Sequence, residues 1–163
     1  MSVDLTRWMP RERWDALVRG EGCPVCVELQ ANEDVNARGY NIADLQVSRL
    51  QLQLNQYVKG YCLLVANEHV REPYELNRAD QQSFFQDLLL AGQAIEQAVG
   101  ALKMNFYILG NSIPHLHCHL VPRYYGDPAP YRTINWEEQR IVLTDTEYRE
   151  RVELIREHLS ELR

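Results

Sequence analysis

The sequence predicts an α+β fold, in which an antiparallel sheet is covered by helices. Three observations lead to this prediction: apolar or alternating segments typical of strands, a long amphipathic segment between two pairs of them, and a second helical pattern at the end of the chain. The chain has 163 residues, which is enough for a domain with its own core. We therefore expect one domain over residues 1–163.

Two helices are predicted near the N-terminus. Residues 6–19 place apolar side chains at near-helical spacing, and Gly20 and Gly22 follow as a stop. The segment CPVCVELQA, residues 23–31, predicts a second short helix with Pro24 in its first turn.

A β-hairpin is predicted next. Residues 47–54 alternate between apolar side chains and glutamines, which is typical of a strand with one buried face. The apolar segment YCLLVA, residues 61–66, predicts a buried strand, and NQYVKG between them predicts the connection.

The central helix is the clearest element of the pattern. Asn77 is a suitable N-cap, Gly100 is a suitable stop, and a wide apolar stripe lies between them. Two strands follow, KMNFYILGN and HLHCHLVPRY, around the turn GNSIP. Residues 126–141 are predicted to be a loop, and residues 144–162 a C-terminal helix capped by Thr144 or Thr146.

Composition narrows the possible functions. The net charge is −6, which argues against broad nucleic-acid binding but not against a small nucleotide. The N-terminal segment has no apolar core of the signal-peptide type and no run is long enough to span a membrane, so we expect the cytoplasm. In that reducing compartment Cys62 and Cys118 are expected to be core residues, whereas Cys23 and Cys26 predict a metal or redox pair.

Three of the five histidines alternate along the last strand. Since residues two apart share one face of a strand, His115, His117 and His119 should point the same way, about 6–7 Å apart. The residues between them are apolar and suited to the core. Three imidazoles in such a row are useful for metal binding or phosphoryl chemistry, while a solvated strand face is the simpler alternative.

The stretch HLHCHLV resembles the signature of the histidine triad (HIT) superfamily of nucleotide hydrolases and transferases. The resemblance covers residues 23–125, through LQLNQYVKGYCLLVANEHVREPYELNRADQQ and MNFYILGNSIPHLHCHLVPRY. It implies a HIT-like fold, an antiparallel sheet of about five strands packed with a central helix and a C-terminal helix. Residues 1–22 would form an N-terminal helical extension, and residues 126–163 a loop and the C-terminal helix.

The resemblance implies an enzyme that acts at the α-phosphate of a nucleoside polyphosphate or phosphoramidate, like the diadenosine polyphosphate hydrolases. His117 would be the nucleophile, oriented by the backbone carbonyl of His115 and passing through a nucleotidyl-histidine intermediate. His119 and Ser112 would contact the phosphate or the leaving group. Two alternatives stay open: a non-catalytic nucleotide-binding module, and a metalloenzyme that uses the three histidines as ligands.

Further nucleotide contacts are expected at Asn55, Asn105 and Asn111, together with His119. Turn formation explains Asn55 and Asn111 nearly as well. The sequence departs from the family pattern at Gly60-Tyr61, where many members have Gly-His, and in the short loop GNSIP before the triad.

A Cys-x-x-Cys pair with two histidines implies a structural zinc site, by resemblance to family members that hold zinc in this way. The ligands would be Cys23, Cys26, His69 and His115, which leave no open position for catalysis. The alternative is that the two cysteines are free thiols. The resemblance also implies a homodimer in which the sheets join across subunits.

Overall fold

A computed structural model describes residues 8–163, and within them the five strands form one antiparallel sheet in the order β1-β2-β3-β5-β4. The central strands are β3 and β5, so the predicted triad strand lies inside the sheet rather than at its edge. The strand bounds are β1 Gly39–Asp44, β2 Ser48–Gln53, β3 Cys62–Ala66, β4 Lys103–Tyr107 and β5 His117–Arg123. The predicted α+β fold is therefore confirmed.

Four α-helices surround the sheet in the described part of the chain, with a short 3-10 turn at Pro73–Glu75. Their bounds are α1 Arg11–Val18, α2 Pro24–Ala31, α3 Arg78–Val99 and α4 Asp145–Leu162. None of the helices in residues 8–163 combines the length and apolar character needed to cross a membrane.

The two long helices begin and end where capping chemistry predicts. The Asn77 side chain accepts a hydrogen bond from the Asp80 backbone N–H at 3.0 Å, and Gly100 ends α3 with a φ of +67°. Thr144 rather than Thr146 caps α4, and forms a reciprocal capping box with Glu147. These side chains satisfy backbone groups that a helix end leaves unpaired.

Three elements differ from the sequence prediction, and one of them is β4, which ends at Tyr107 although the predicted strand continued to Leu109. Strand β1 was not predicted, because a register irregularity between Asn41 and Ala43 interrupts its alternation. Helix α1 begins at Arg11 rather than at residue 6, since Pro10 occupies its N-cap and residues 8–10 are not helical. Residues 6–7 of the predicted helix lie outside the described residues.

The main core lies between the sheet and the two long helices. Cys62 and Cys118 are fully buried there, as predicted, on the face of β3 and β5 that α3 covers. Helix α4 is fixed to β1 by Tyr40, whose ring stacks on Tyr148 with 4.6 Å between centroids and whose hydroxyl donates to Asp145 at 2.8 Å.

The opposite face of the sheet is covered from two ends. Residues 8–31, which we call the N-terminal arm, contribute Val25 to a small cluster with Leu63 and Val65. Residues 124–143, which we call the C-terminal loop, bring Ile134 against Val121. His117 and His119 lie on the same face of β5, between the N-terminal arm and the C-terminal loop.

Candidate active site and metal centre

The register of β5 against β3 fixes which side chains share the triad face. His117 lies opposite Val65 and His119 opposite Leu63, so both imidazoles stand on the face that the main core does not occupy. His115 lies in the bend just before β5 and is completely buried. His115 therefore has a different environment from His117 and His119, although the three alternate along the sequence.

The orientation of His117 is set by its own strand. Its Nδ1 lies 2.6 Å from the backbone carbonyl oxygen of His115. A carbonyl oxygen can only accept, so Nδ1 carries the hydrogen and donates it, and Nε2 of the neutral ring keeps a lone pair. Burial lowers the pKa of His117, which favours this neutral form.

His119 is held by aromatic side chains. The Tyr61 hydroxyl lies 2.6 Å from His119 Nδ1, and the Trp136 ring stacks on the imidazole with 5.0 Å between centroids and 27° between planes. Burial lowers the pKa of His119 to about 4, so this ring is neutral near pH 7.

A metal-binding group is assembled from three segments of the chain. The ligand atoms of Cys23, Cys26, His69 and His115 all lie within 4.8 Å of one another. The Nδ1 atoms of the two histidines are 3.1 Å apart, and the Cys26 sulfur is 3.3 Å from His69 Nδ1 and 3.6 Å from His115 Nδ1. The structure thus brings together the four residues that the sequence predicted as ligands.

The hydrogen bonds of the two Nε2 atoms, in His115 and His69, indicate that this group fits a cation. Nε2 of His115 lies 2.8 Å from the Ala66 carbonyl oxygen, and Nε2 of His69 lies 3.2 Å from that of Val18. Both Nε2 atoms must therefore donate, which leaves both Nδ1 atoms with lone pairs facing each other. Burial lowers the pKa of His115 to about 4, so protonation of its Nδ1 is unfavourable near pH 7. A metal ion, in contrast, can bind the lone pairs of both Nδ1 atoms.

The cysteines support the same conclusion. Burial raises the pKa of the Cys26 thiol to about 11, so without a cation it would stay protonated near pH 7. A metal ion deprotonates the thiols that bind it. Two sulfur and two nitrogen ligands, all from the protein, match the closed tetrahedral sets of structural zinc sites.

A cavity of about 510 Å³ opens beside the triad. His117 and His119 line it, and Asn111 and Ser112 of the preceding turn lie at the same cavity. The N-terminal arm contributes Trp8 and Met9, and the C-terminal loop contributes Trp136 and Glu137. Its volume is in the range of sites for small molecules.

Comparison with known proteins decides the family. The model of the HIT domain matches residues 35–126, which is more than half of the chain. The chain belongs to the HIT family. No curated protein matches it.

Solved structures of HIT proteins share this fold. A histidine triad protein from Marinobacter aquaeolei has a TM-score of 0.69 and 24% identity, with 78% of this chain and 93% of that chain covered. A histidine triad protein from Sinorhizobium meliloti has a TM-score of 0.68 and 22% identity, covering 94% and 98%. A zinc-bound histidine triad family protein from Mycobacterium smegmatis has a TM-score of 0.62 and 18% identity, covering 86% and 94%.

Not every residue expected to contact a nucleotide lies at the cavity of this HIT protein. The Asn55 amide donates to the carbonyl oxygens of Trp136 and Gln139, and its oxygen accepts from the backbone N–H of Tyr57 and Ile141. The Asn55 side chain thus joins the C-terminal loop to the connection after β2, and both its amide nitrogen and its amide oxygen are engaged in hydrogen bonds.

Asn105 faces a different part of the HIT fold. Its amide oxygen accepts hydrogen bonds from Arg123 at 2.9 Å and from the Tyr107 hydroxyl at 3.1 Å, beside a separate cavity along β4. The nucleotide contacts expected of Asn55 and Asn105 stay predictions. Asn111 and Ser112 are the predicted contacts that lie at the triad cavity.

Sequence reasoning missed the two aromatic residues that contact His119, Tyr61 and Trp136. Trp136 lies in the loop and had no periodic signal. Tyr61 was noted only as a departure from the Gly-His pair of other HIT proteins. A signal for Tyr61 was present, however, because it directly precedes β3 and lies two residues before Leu63, the partner of His119, and so on the same face.

Proposed function

We propose that this HIT protein is a nucleotidyl transferase or hydrolase that forms a covalent intermediate on His117. The observation that carries the proposal is the 2.6 Å hydrogen bond from His117 Nδ1 to the His115 carbonyl. That bond directs the hydrogen away from the cavity and leaves Nε2 with a lone pair, as a nucleophile needs.

The reaction would proceed in two displacements. Nε2 of His117 attacks the α-phosphorus, the bond from phosphorus to the leaving group breaks, and its electron pair goes to the leaving atom, which takes up a proton from solvent water. Water then attacks the same phosphorus, the phosphorus–nitrogen bond breaks, its electron pair returns to His117 Nε2, and the proton of the attacking water is released to solvent. In the transferase case another acceptor replaces water. Ser112 and Asn111 line the cavity from the turn before β5, which supports their proposed contact with the phosphate.

Charge at the cavity favours one of the two expected substrate classes. Among its described lining residues there is no Lys or Arg, and the one acidic side chain is Glu137. A dinucleoside polyphosphate carries several negative charges and is best held by cationic groups. A nucleoside phosphoramidate carries less negative charge, so Glu137 would repel it less. The amine that it releases would be attracted by the Glu137 carboxylate. We therefore favour the phosphoramidate class.

We propose zinc as the structural metal of Cys23, Cys26, His69 and His115. The tautomer argument, the sulfur and nitrogen ligands, and the zinc-bound relative from Mycobacterium smegmatis support this. With four protein ligands the metal would be structural and would hold the N-terminal arm against β5. His115 thereby leaves the reacting set, which speaks against a catalytic metal bound by all three triad histidines.

A homodimer is proposed from the apolar surface beside β4. Phe85, Leu89 and Gly92 follow one another on a single face of α3, and Phe106 of β4 lies next to Gly92. Leu89 is 68% exposed and Phe106 40% exposed, beside the free edge of the sheet. Pairing of two such surfaces would cover both the edge and the apolar side chains.

We also propose one domain over residues 1–163, with residues 23–125 as the HIT core, and a cytoplasmic location. The arm and the loop pack on the same sheet as the core, which supports the single domain. Four unpaired cysteines suit a reducing compartment.

Mass spectrometry of quenched reactions tests the covalent step. Incubation with adenosine 5′-phosphoramidate should add one adenylyl group to His117, and His117→Ala should lower turnover at least about a thousandfold. His158→Ala is the matched control, because it removes a histidine on α4 away from the cavity. Full turnover in His117→Ala would reject the mechanism. Tight binding of adenosine monophosphate without turnover of any nucleotide would favour the non-catalytic alternative.

A further inference from the structure

Tyr61 stands where its hydroxyl can control the chemistry of His119. It directly precedes β3, two residues before Leu63, which is the cross-strand partner of His119. The diagonal position brings the phenol beside the imidazole on the same face, and the hydroxyl oxygen is 2.6 Å from Nδ1. Tyr61 is only 4% exposed, so water does not compete freely for this bond.

The direction of the hydrogen bond follows from protonation and from the surroundings. Burial raises the pKa of Tyr61 and lowers that of His119 to about 4, so both groups are neutral near pH 7. Within residues 8–163 the Tyr61 hydroxyl has no other hydrogen-bond partner. If Nδ1 donated to the phenol oxygen, the phenol hydrogen would be buried without an acceptor, which is costly. The phenol is therefore the donor and Nδ1 the acceptor.

Neighbouring rings hold this arrangement in place. The planes of Tyr61 and His119 differ by 13°, and the Trp136 ring covers His119 while also contacting Tyr61 at 5.5 Å between centroids. A ring packed in this way cannot turn over to exchange its two nitrogens without moving its neighbours. The second nitrogen, Nε2, is left for the cavity that His119 lines.

We propose that Tyr61 is a positioning residue that holds His119 in the Nε2–H tautomer, so that His119 donates a hydrogen bond to a phosphoryl oxygen of the substrate. His117 has the opposite tautomer, because its Nδ1 donates to the His115 carbonyl. One strand would thus offer a lone pair to phosphorus at His117 and an N–H to the phosphate oxygen at His119. No proton is transferred by His119 in this step. The proposal rests on the proposed function for its catalytic consequence, but not for the tautomer.

The tautomer can be measured directly by nuclear magnetic resonance. In the full chain labelled with ¹⁵N and prepared with zinc, two-bond ¹H–¹⁵N correlations distinguish a protonated from an unprotonated ring nitrogen. The His119 signals are those that disappear in His119→Gln. We expect a protonated Nε2 and an unprotonated Nδ1 in the wild-type protein. In Tyr61→Phe, which keeps the ring and removes the hydroxyl, we expect hydrogen to be found on Nδ1 in a substantial fraction of molecules.

Turnover supplies the second readout. With adenosine 5′-phosphoramidate, Tyr61→Phe should lower kcat about tenfold and change KM less than about twofold, since the lost interaction acts in the transition state. The matched control is Tyr124→Phe, which removes a hydroxyl from the same aromatic cluster and breaks a bond of equal length, 2.6 Å, to the Lys59 carbonyl. Tyr124→Phe should retain both the kcat and the His119 tautomer.

Three results overturn the proposal. The first is a wild-type His119 with its hydrogen on Nδ1, whatever the turnover. The second is an unchanged tautomer in Tyr61→Phe, and the third is a kcat for Tyr61→Phe equal to that of Tyr124→Phe. Failure of the proposed function would be seen separately, as turnover that survives His117→Ala, and would leave the tautomer measurement valid.

Discussion

The carbonyl oxygen of His115 accepts a hydrogen bond from Nδ1 of His117 at 2.6 Å, while the side chain of His115 belongs to the metal-binding group. A single residue therefore connects the two centres. Its imidazole is directed toward the cysteines of the arm, and its backbone sets the tautomer of the proposed nucleophile. A shift of His115 is expected to change the orientation of His117, because the imidazole of His115 and the carbonyl that accepts from His117 Nδ1 belong to the same residue.

Substitution of a cysteine ligand should empty the metal centre. We expect the wild-type protein to contain about one equivalent of zinc, and Cys23→Ser to contain less than about 0.1, because a hydroxyl is a poor zinc ligand. Elemental analysis of the purified proteins measures this. Cys118→Ala is the matched control, since it removes a thiol of the main core, and it should keep its zinc. Retention of a full equivalent in Cys23→Ser would refute the ligand assignment.

Removal of the metal should loosen the N-terminal arm before the rest of the fold. His69 links the group to the Val18 carbonyl at the end of α1, and Cys23 and Cys26 lie at the start of α2. Hydrogen exchange followed by mass spectrometry, with and without chelator, should show faster exchange over residues 11–31 and little change over residues 145–162. Added zinc should restore the protection. Equal acceleration over both ranges would argue for global unfolding instead.

The apolar surface of α3 and β4 should govern self-association. Leu89→Glu places a charge in the centre of the proposed interface and should shift the protein from dimer to monomer in light scattering coupled to gel filtration. Leu154→Glu makes the same change at a partly exposed site on α4 and should leave the dimer intact. A wild-type protein that is monomeric at all concentrations measured would contradict the interface.

The half-buried His119 should make stability depend on pH. Its pKa is about 4 in the folded protein, whereas an exposed histidine has a pKa near 6.5, so between these values the unfolded chain binds more protons. The free energy of unfolding should therefore rise with pH in this window and be lost as the pH falls through it, by up to about 1.4 kcal/mol per pH unit for this group.

Urea unfolding of the zinc-loaded protein between pH 4.5 and 7 measures this dependence. His119→Gln should lower the slope of this curve, and His158→Gln should not, because His158 lies on α4, away from the cavity. If both variants show the same slope as the wild-type protein, His119 is not the group responsible.

Much of the fold was predictable because its signals are local. The caps at Asn77, Gly100 and Thr144 act through neighbouring backbone groups, so the sequence alone located the ends of α3 and the start of α4. Strand β1 was missed, since an edge strand with an irregular register does not show regular alternation.

Only part of the site was predictable from the sequence. The Cys-x-x-Cys pair indicated a metal or redox site, and the resemblance to the HIT superfamily implied the four ligands, which the structure brings together from distant segments. The ring of Trp136 over His119 depends on how a loop without periodicity packs across the sheet, and this is a tertiary effect that local patterns do not carry. The engagement of Asn55 with that loop was hidden for the same reason.

The N-terminal arm and the C-terminal loop both contribute residues to the cavity beside the triad. Trp8 and Met9 come from one flank of the HIT core and Trp136 and Glu137 from the other, whereas the histidines come from the core itself. Under the proposed function, chemistry and selectivity would thereby be encoded in separate stretches of the gene. Exchange of the flanks between relatives would then offer a route to new acceptor or leaving-group preferences, while the strand that carries His117 stays the same.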